Sequence, residues 1–239
     1  MPHVNKILLK CILTITLAGC GAQQITKSGD NLIKLSSFFS STEESIGKAA
    51  KSIEEQHLIR NLTHLNKMNS GGSHYYPLER ESITEMIRKL SSIRFTECLL
   101  INSAGIIIYT MNDNEILGKN YSTFPLSPLP DLFSKSITGK TALYDLDVFP
   151  NKSGRLSIFF SIPVYSSGKS DGILICAADI SEIEKIVPGI SSITNSENVI
   201  KFDIIPENIG KNISNSASVR RTNPRLFTYR DINWKIYLN

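Results

Sequence analysis

Asp179 is the residue whose type and position most suggest chemistry in this sequence. It directly follows the apolar run Ile173–Ala178. If this run is a strand, Asp179 points to the same face as Ile173 and Ile175, because alternate residues share a face. A carboxylate on that face needs a partner, because an unpaired buried charge costs several kcal/mol. The sequence allows two partners: the ammonium group of a bound small molecule, or the backbone N–H groups that open a helix over Ser181–Val187.

Aromatic side chains recur in the segments around this carboxylate. They are Tyr109, Tyr121, Phe124, Tyr144, Phe159 and Tyr165. Aromatic walls with a few polar groups are typical of small-ligand pockets, although the same residue types also fill ordinary cores. The pocket hypothesis takes Tyr109, Tyr121, Tyr144, Phe159 and Asp179 as ligand-binding residues, and a plain hydrophobic core is the alternative.

Two cysteines, Cys98 and Cys176, lie in the part of the chain that we expect to fold. A disulfide between them is chemically allowed outside the cytoplasm. Two buried free thiols are the reading that we favour, because the sequence does not give the register in which their strands pair.

No motif typical of catalysis or metal binding is found. Gly139-Lys140-Thr141 and Gly168-Lys169-Ser170 end like a phosphate-binding loop, but positions 134 and 163 are Ser and Pro where that loop requires Gly. The histidines lack an HExxH frame, and there is no Gly-x-Ser-x-Gly elbow. We therefore expect no enzyme, no catalytic residue, no metal site and no cofactor.

Composition limits the class of protein. The 239 residues are 41% hydrophobic, and 26 Lys+Arg against 22 Asp+Glu give a net charge of +4. This suits one globular domain, or one and a fragment. The small, scattered surplus of positive charge is no footprint for nucleic acid. From Gly21 onward, no apolar run approaches the ~20 residues that span a bilayer.

The first 20 residues read as a secretory signal. Lys6 and Lys10 precede a short apolar stretch that ends in small residues. The run Leu17-Ala18-Gly19-Cys20 resembles the bacterial lipobox, which implies removal of residues 1–19 and attachment of diacylglycerol and a further acyl chain, such as palmitate, to Cys20. Two chains hold a protein durably on a bilayer. We expect an extracytoplasmic, lipid-anchored protein of the cell envelope, with residues 20–30 as a polar tether.

Two helical patterns follow. Apolar residues recur at spacings of three, four and seven from Leu32 to about Met68, and again after Pro77. Ser41 with Glu44 can form a capping box, which predicts a possible break near Ser40. Together these patterns make residues 31–94 a helical spine.

The pattern then changes to strands. Runs rich in β-branched residues cover Phe95–Asn102 and Ile106–Met111, joined across Ser103–Gly105, and then Leu156–Tyr165 and Gly172–Asp179. Pro163 favours a strand end or edge. Two short helices are expected, one capped by Asp131 and closed by Gly139, and one opened by a capping box of Ser181 and Glu184. The prediction is an α+β fold with one antiparallel sheet.

An internal repeat marks the C-terminal part. Glu115–Ser122 recurs as Glu207–Ser214, shifted by 92 residues with five identities in eight. Chance is the alternative explanation. We interpret residues 191–239 as a small, degenerate second module that must pack on the first, since it has too little apolar material for its own core.

The order of motifs in residues 95–187 resembles an extracytoplasmic Cache module, a PAS-like sensor domain. The matching residues are Ala104-Gly105, Leu117–Asn120, Phe149-Pro150, Ser161–Val164, Gly172–Leu174 and Asp179-Ile180. The resemblance implies a long helix packed on a PAS-like antiparallel sheet, a ligand-binding module at 95–190, and a truncated second module. It also implies that Cys98 and Cys176 lie on neighbouring strands.

The resemblance further implies a small-molecule site between the sheet and the long loop after the second strand. Amino acids, amines and carboxylates are common ligands of the family. In one amine-binding subgroup, a Tyr and an Asp hold the ligand, and Tyr144 and Asp179 fall at those positions. The subgroup's Arg and Trp are missing between Asp113 and Tyr144. Lys119, Lys135 or Lys140 could replace the Arg as a point charge.

Two functions from different classes remain open. The first is a lipid-anchored, sensor-type protein that binds a small molecule and acts with a membrane-protein partner. The second is a structural or interaction lipoprotein that uses the PAS-like sheet to form homodimers or to dock without a ligand. The missing Arg and Trp favour the second function, whereas Tyr144 and Asp179 favour the first.

Overall fold

A computed structural model describes residues 22–68, 75–91, 93–112, 114–148, 156–187, 190–194, 199–201, 225–230 and 232–238. The predicted signal peptide, Cys20 and the second copy of the repeat at Glu207–Ser214 lie outside these residues. None of the helices in the described ranges has the length and hydrophobicity needed to cross a bilayer.

Three helices form one layer of the α+β fold: α1 (Ala22–Glu55), α2 (Leu58–Met68) and α3 (Tyr75–Leu90). Helix α1 begins inside the predicted tether, because that segment contains no proline and runs directly into the apolar pattern of the helix. The apolar stripe of α1 is buried against the sheet, and Phe39 and Ile53 are fully buried.

The predicted break near Ser40 is wrong. Ser41 donates its hydroxyl proton to the Phe38 carbonyl, 3.1 Å away, and Glu44 pairs with Lys48 at 2.7 Å. Both interactions are formed within a continuous helix. Ser41 and Glu44 therefore make contacts inside α1 and do not cap a helix start. The chain breaks instead at His57, whose φ of 52° is left-handed.

Five antiparallel strands form the large sheet: β1 (Phe95–Asn102), β2 (Ile107–Thr110), β3 (Ala142–Val148), β4 (Leu156–Ser166) and β5 (Lys169–Asp179). Their order is β2-β1-β5-β4-β3. Four of the strands were predicted, and β3 was not. Pro163 lies in β4 beyond the end of its pairing with β3, where Ala142 faces Ser161, so its missing N–H is compatible with the sheet.

The sheet has two covered faces. Helices α1–α3 cover one, which we call the helix side. The other, the loop side, is covered by α4 (Leu129–Ser136) and the segment 114–124. Helix α4 starts before Asp131, which lies in the first turn and pairs with Lys135 at 2.8 Å instead of capping the helix. Gly139 follows with a φ of +94°, as its predicted place after the helix end requires.

After the short helix α5 (Ile180–Ile186), four strands form a second sheet of order β7-β6-β9-β8: β6 (Ile190–Thr194), β7 (Val199–Lys201), β8 (Arg225–Tyr229) and β9 (Ile232–Leu238). This small sheet packs on α1 and β3. The ring of Trp234 lies 5.6 Å from that of Phe39, and its Nε1 donates to Asp145 of β3 at 2.7 Å. Arg230 pairs with Glu43 of α1 at 2.7 Å.

Candidate functional site

The loop side of the large sheet carries an apolar cluster that includes most of the predicted site. We call it the loop-side cluster. Its buried members are Leu99, Ile101, Ile107, Ile116, Leu129, Leu132, Phe133, Ala142, Phe159, Ile173, Ile175 and Ala177, with Tyr121, Phe124, Ile137 and Tyr144 packed against them. Every second residue of the strands contributes its side chain to this cluster, and α4 covers the cluster on the side away from the sheet.

The segment after β2 is held to the sheet at the β1–β2 turn. Gly105 has a φ of +80°, and a side chain on it would lie 2.7 Å from the ring of Tyr121. Asn120 donates from Nδ2 to the Ala104 carbonyl at 3.2 Å, and its Oδ1 accepts from the Ser122 N–H at 3.0 Å. These contacts place Tyr121 against Phe133 of α4, with ring centroids 4.2 Å apart. Stacked aromatic rings thus form one wall of the site.

Two serines with no exposed surface lie in this mostly apolar cluster. Ser161 of β4 is fully buried between Ala142 and Ile175 of the neighbouring strands. Ser136 of α4 is also fully buried, and it donates to the backbone carbonyl of Ser161 at 3.3 Å. Among the described residues, the Ser161 hydroxyl itself has no hydrogen-bond partner. Sequence reasoning missed this serine, because a Ser in a strand gives no sign of its burial.

Tyr144 and Phe159 lie together in this site. They face each other across β3 and β4, and Phe159 in turn faces Ala177 of β5. Phe159 is fully buried, whereas Tyr144 is half-buried at the margin of the cluster. Phe159 thus lies next to β5 near its end, and Tyr144 lies one strand further from β5.

Asp179 is the last residue of β5. It lies opposite Ser157 of β4, two residues beyond the pair of Phe159 and Ala177. Its Oδ1 accepts from the Ser181 N–H at 2.8 Å, which makes Asp179 the N-cap of α5. The predicted capping box of Ser181 and Glu184 is therefore wrong, since the helix starts two residues earlier than that box requires. The carboxylate is buried, with 8% of the residue exposed. The cap interpretation of Asp179 is realised in the structure.

A second buried carboxylate, Glu97, lies on β1 near the same end of the sheet. It is 2% exposed and accepts from the backbone N–H groups of Met111 at 2.6 Å and Asn112 at 3.0 Å. Buried carboxylates that accept several N–H groups fix the backbone around them. Glu97 therefore holds the chain that leaves β2 towards the segment covering the site. The sequence pattern did not single it out.

Tyr109 does not lie in the site, which corrects the predicted set. It is fully buried on the helix side, where its hydroxyl contacts Thr84 of α3 at 2.9 Å. Burial raises the pKa of the Tyr109 hydroxyl far above its ordinary value, so the group stays protonated. A β-bulge at this point of the β1–β2 pairing turns Tyr109 away from the face of Ile107.

The three lysines considered as replacements for the missing Arg have different surroundings. Lys135 pairs with Asp131. Lys140 is exposed after the end of α4. Lys119 lies over the ring of Phe124, with Nζ 6.0 Å from the centroid, and is adjacent in sequence to Asn120, which holds the covering segment. Of the three, Lys119 is the cation best placed beside the aromatic wall.

The arrangement combines groups that small-ligand sites commonly use: aromatic and aliphatic side chains, a buried hydroxyl, and a carboxylate at the end of β5. Across the described ranges, no group of three or more His, Cys, Asp or Glu side chains is arranged to hold a metal ion.

Two solved structures show a similar fold. The sensor domain of the histidine kinase DctB from V. cholerae superposes with a TM-score of 0.50 at 22% identity, over 72% of this chain and 62% of that one. An extracellular ligand binding receptor from Desulfohalobium retbaense superposes with a TM-score of 0.56 at 15% identity, over 91% of this chain. The chain thus spans 62% and 40% of the lengths of these proteins.

No protein-family profile matches the sequence, and comparison with curated proteins finds no match. The structural matches show that the chain has the fold of Cache-type sensor domains, which confirms the α+β prediction and the Cache resemblance.

Proposed function

We propose that this chain is a sensor-type protein that binds a small molecule in the loop-side cluster, between the sheet and residues 114–136. The fold that the chain shares with a histidine kinase sensor domain and with an extracellular ligand binding receptor supports a binding role. The observation that carries the proposal for this chain is the hydroxyl of Ser161. It is fully buried and has no hydrogen-bond partner among the described residues. Leaving such a group unsatisfied costs about 1–3 kcal/mol, which a polar atom of a ligand would recover.

The ligand class follows from the groups at the margin of the cluster. Asp179 offers a carboxylate to an ammonium group, in addition to its role as a helix cap. Tyr144 adds an aromatic face on β3, two strands away from Asp179, and an aromatic face also attracts a cation. Lys119 offers a positive charge near Phe124 on the other flank. A small amine or amino acid fits this pattern, and a small carboxylate could use Lys119 alone.

The remainder of the proposal concerns location. The lipid on Cys20 would hold the protein on the envelope membrane, outside the cytoplasm, at the periplasmic face or the cell surface. Helix α1 begins at Ala22, two residues after Cys20. The long helix would therefore continue almost directly from the lipid to the sheet. In this arrangement, a separate membrane protein passes the signal across the bilayer.

Thermal unfolding of a soluble form that starts after Cys20 tests ligand binding. The screen covers amino acids, amines, small carboxylates and purines. A ligand at about 100 times its dissociation constant adds roughly 2.7 kcal/mol, which raises the melting temperature by about 5–11 °C. The shift should be lost in Tyr144→Ala and Ser161→Ala. It should persist in Tyr109→Phe, the matched control on the opposite face of the sheet.

The alternative is an interaction lipoprotein that docks or dimerises through this fold without a ligand. The dense loop-side cluster favours it, since Leu99, Phe159 and Ile175 are already almost completely buried. A screen in which no compound shifts the melting temperature of the folded protein would contradict the sensor proposal. The mass of the soluble form in solution would then decide whether the protein dimerises.

A further inference from the structure

Cys98 and Cys176 lie directly opposite each other on β1 and β5. Both strands belong to the centre of the large sheet, and both side chains point to the helix side. The two sulfur atoms are 2.8 Å apart. The register that the sequence left open is thus the one that brings the thiols into contact.

The backbone geometry at this pair suits a disulfide. The Cys98 carbonyl accepts from the Met111 N–H at 2.9 Å, on the side away from β5. In an antiparallel strand, the N–H and C=O of one residue point the same way, so Cys98 and Cys176 form a non-hydrogen-bonded pair. The Cα atoms of such pairs are ~4.5 Å apart, within the range of ~4.4–6.8 Å that a disulfide bridges.

We propose that Cys98 and Cys176 are joined by a disulfide in the mature protein. Each thiol loses its proton, the two sulfurs form one bond, and two electrons pass to an external thiol–disulfide oxidant, which is reduced to two thiols through a mixed disulfide. The proposal rests on the extracytoplasmic location proposed above, because such oxidants act there.

Burial determines when the bond forms. Both cysteines are completely buried on the helix side of the sheet, so no oxidant reaches them in the folded protein. Burial also raises the pKa of the Cys98 thiol well above its ordinary value, which keeps the reactive thiolate scarce. Oxidation therefore takes place during folding, before the helices pack on this face of the sheet. The resulting bond joins two segments that are 78 residues apart.

Peptide mapping of the full-length chain, exported by bacterial cells, tests the disulfide. The cells are quenched in acid, free thiols are blocked with N-ethylmaleimide under denaturing conditions, and the protein is digested with trypsin. Cys98 lies in peptide 95–119 and Cys176 in peptide 170–185, so Cys20 does not interfere. We expect one linked species that lacks two hydrogen atoms relative to the separate peptides and disappears on reduction. The single variant Cys98→Ala is the matched control, in which peptide 170–185 should carry the label.

A second measurement uses stability. Reductant should lower the melting temperature of the unaltered protein by roughly 5–15 °C, since closing a loop of this length constrains the unfolded chain. The double variant Cys98→Ala, Cys176→Ala should not respond to reductant. If that variant does not fold, the peptide map still decides.

Refolding the reduced chain in a glutathione redox buffer separates the disulfide from the proposed location. If N-ethylmaleimide labels both cysteine peptides in protein from cells and also in refolded protein, the proposed disulfide is refuted, and the proposed location is unaffected. If it labels both peptides in protein from cells but the refolded protein contains the linked species, the disulfide in the mature protein is refuted. An oxidising location for the chain is then refuted as well.

Discussion

Replacing Asp179 by Asn and by Ala separates its two roles. Its Oδ1 accepts from the Ser181 N–H at 2.8 Å and caps α5. Ala removes that acceptor, at a cost of about 1 kcal/mol, which lowers the melting temperature by about 2–4 °C for a chain of this size. Asn keeps a side-chain oxygen in the same place, so its stability should equal that of the unaltered protein within about 0.5 kcal/mol.

Ligand binding should respond differently. A hydrogen bond to a charged group contributes about 1.5–3 kcal/mol, so loss of the carboxylate should weaken an ammonium ligand about 10- to 150-fold. Asp179→Asn should therefore fold normally and bind poorly, whereas Asp179→Ala should be impaired in both respects. Calorimetric titration with a ligand from the screen, together with thermal unfolding, measures both effects. Unchanged affinity in Asp179→Asn would show that Asp179 is only a helix cap, and unchanged stability in Asp179→Ala would refute the capping argument.

Three further changes test other parts of the structure. Trp234→Phe keeps an aromatic ring but loses the hydrogen bond to β3, so the free energy of unfolding should fall by about 1.5–3 kcal/mol; an unchanged urea midpoint would show that this contact does not hold the small sheet. Gly105→Ala should destabilise the protein by about 1–2 kcal/mol, because the residue has a φ of +80° and its new methyl group would lie 2.7 Å from the ring of Tyr121. Gly47→Ala is the matched control in α1, where nothing lies within 4 Å, and it should be neutral or stabilising by up to about 1 kcal/mol. Burial raises the pKa of Glu43 above 4.5 despite the adjacent guanidinium. The stability due to protonated Glu43 is therefore fully present below that value and is lost as the pH rises through its folded pKa. Glu43→Gln should not show this loss when melting temperatures are followed from pH 4 to pH 7. If the melting temperatures of the variant and the unaltered protein change with pH in parallel, Glu43 is not the source of the loss.

The predicted strands are those whose signals are local. β1, β2, β4 and β5 are runs of apolar and β-branched residues bounded by turns, and each was predicted within a few residues. β3 was missed because Asp145 and Asp147 interrupt its apolar residues. The partner that makes Asp145 acceptable is Trp234, 89 residues further along the chain. A strand is recognised from a stretch of a few residues, and no such stretch contains both Asp145 and Trp234.

Local capping signals misplaced two helix starts. Serine followed three residues later by glutamate predicts a cap at Ser41 and again at Ser181, and the structure places neither residue at an N-cap. Around Ser41, the apolar stripe continues on both sides, and the buried contacts of Phe39 and Ile46 keep the helix intact. Tertiary packing decides between a cap and a helix interior, and the pair of residues alone does not.

The fate of Tyr109 and Asp179 shows what alternation along a strand can predict. β5 pairs with β1 and β4 in regular register over Ile173–Ala177, so counting by twos from Ile173 places Asp179 on the loop side. The same count from Ile107 places Tyr109 there too, but Ile101 pairs with Ile107 and Leu100 with Tyr109, which leaves one residue of β2 unpaired. That extra residue turns Tyr109 onto the helix side. A bulge depends on how two strands fit together, so alternation is reliable only where the register is regular.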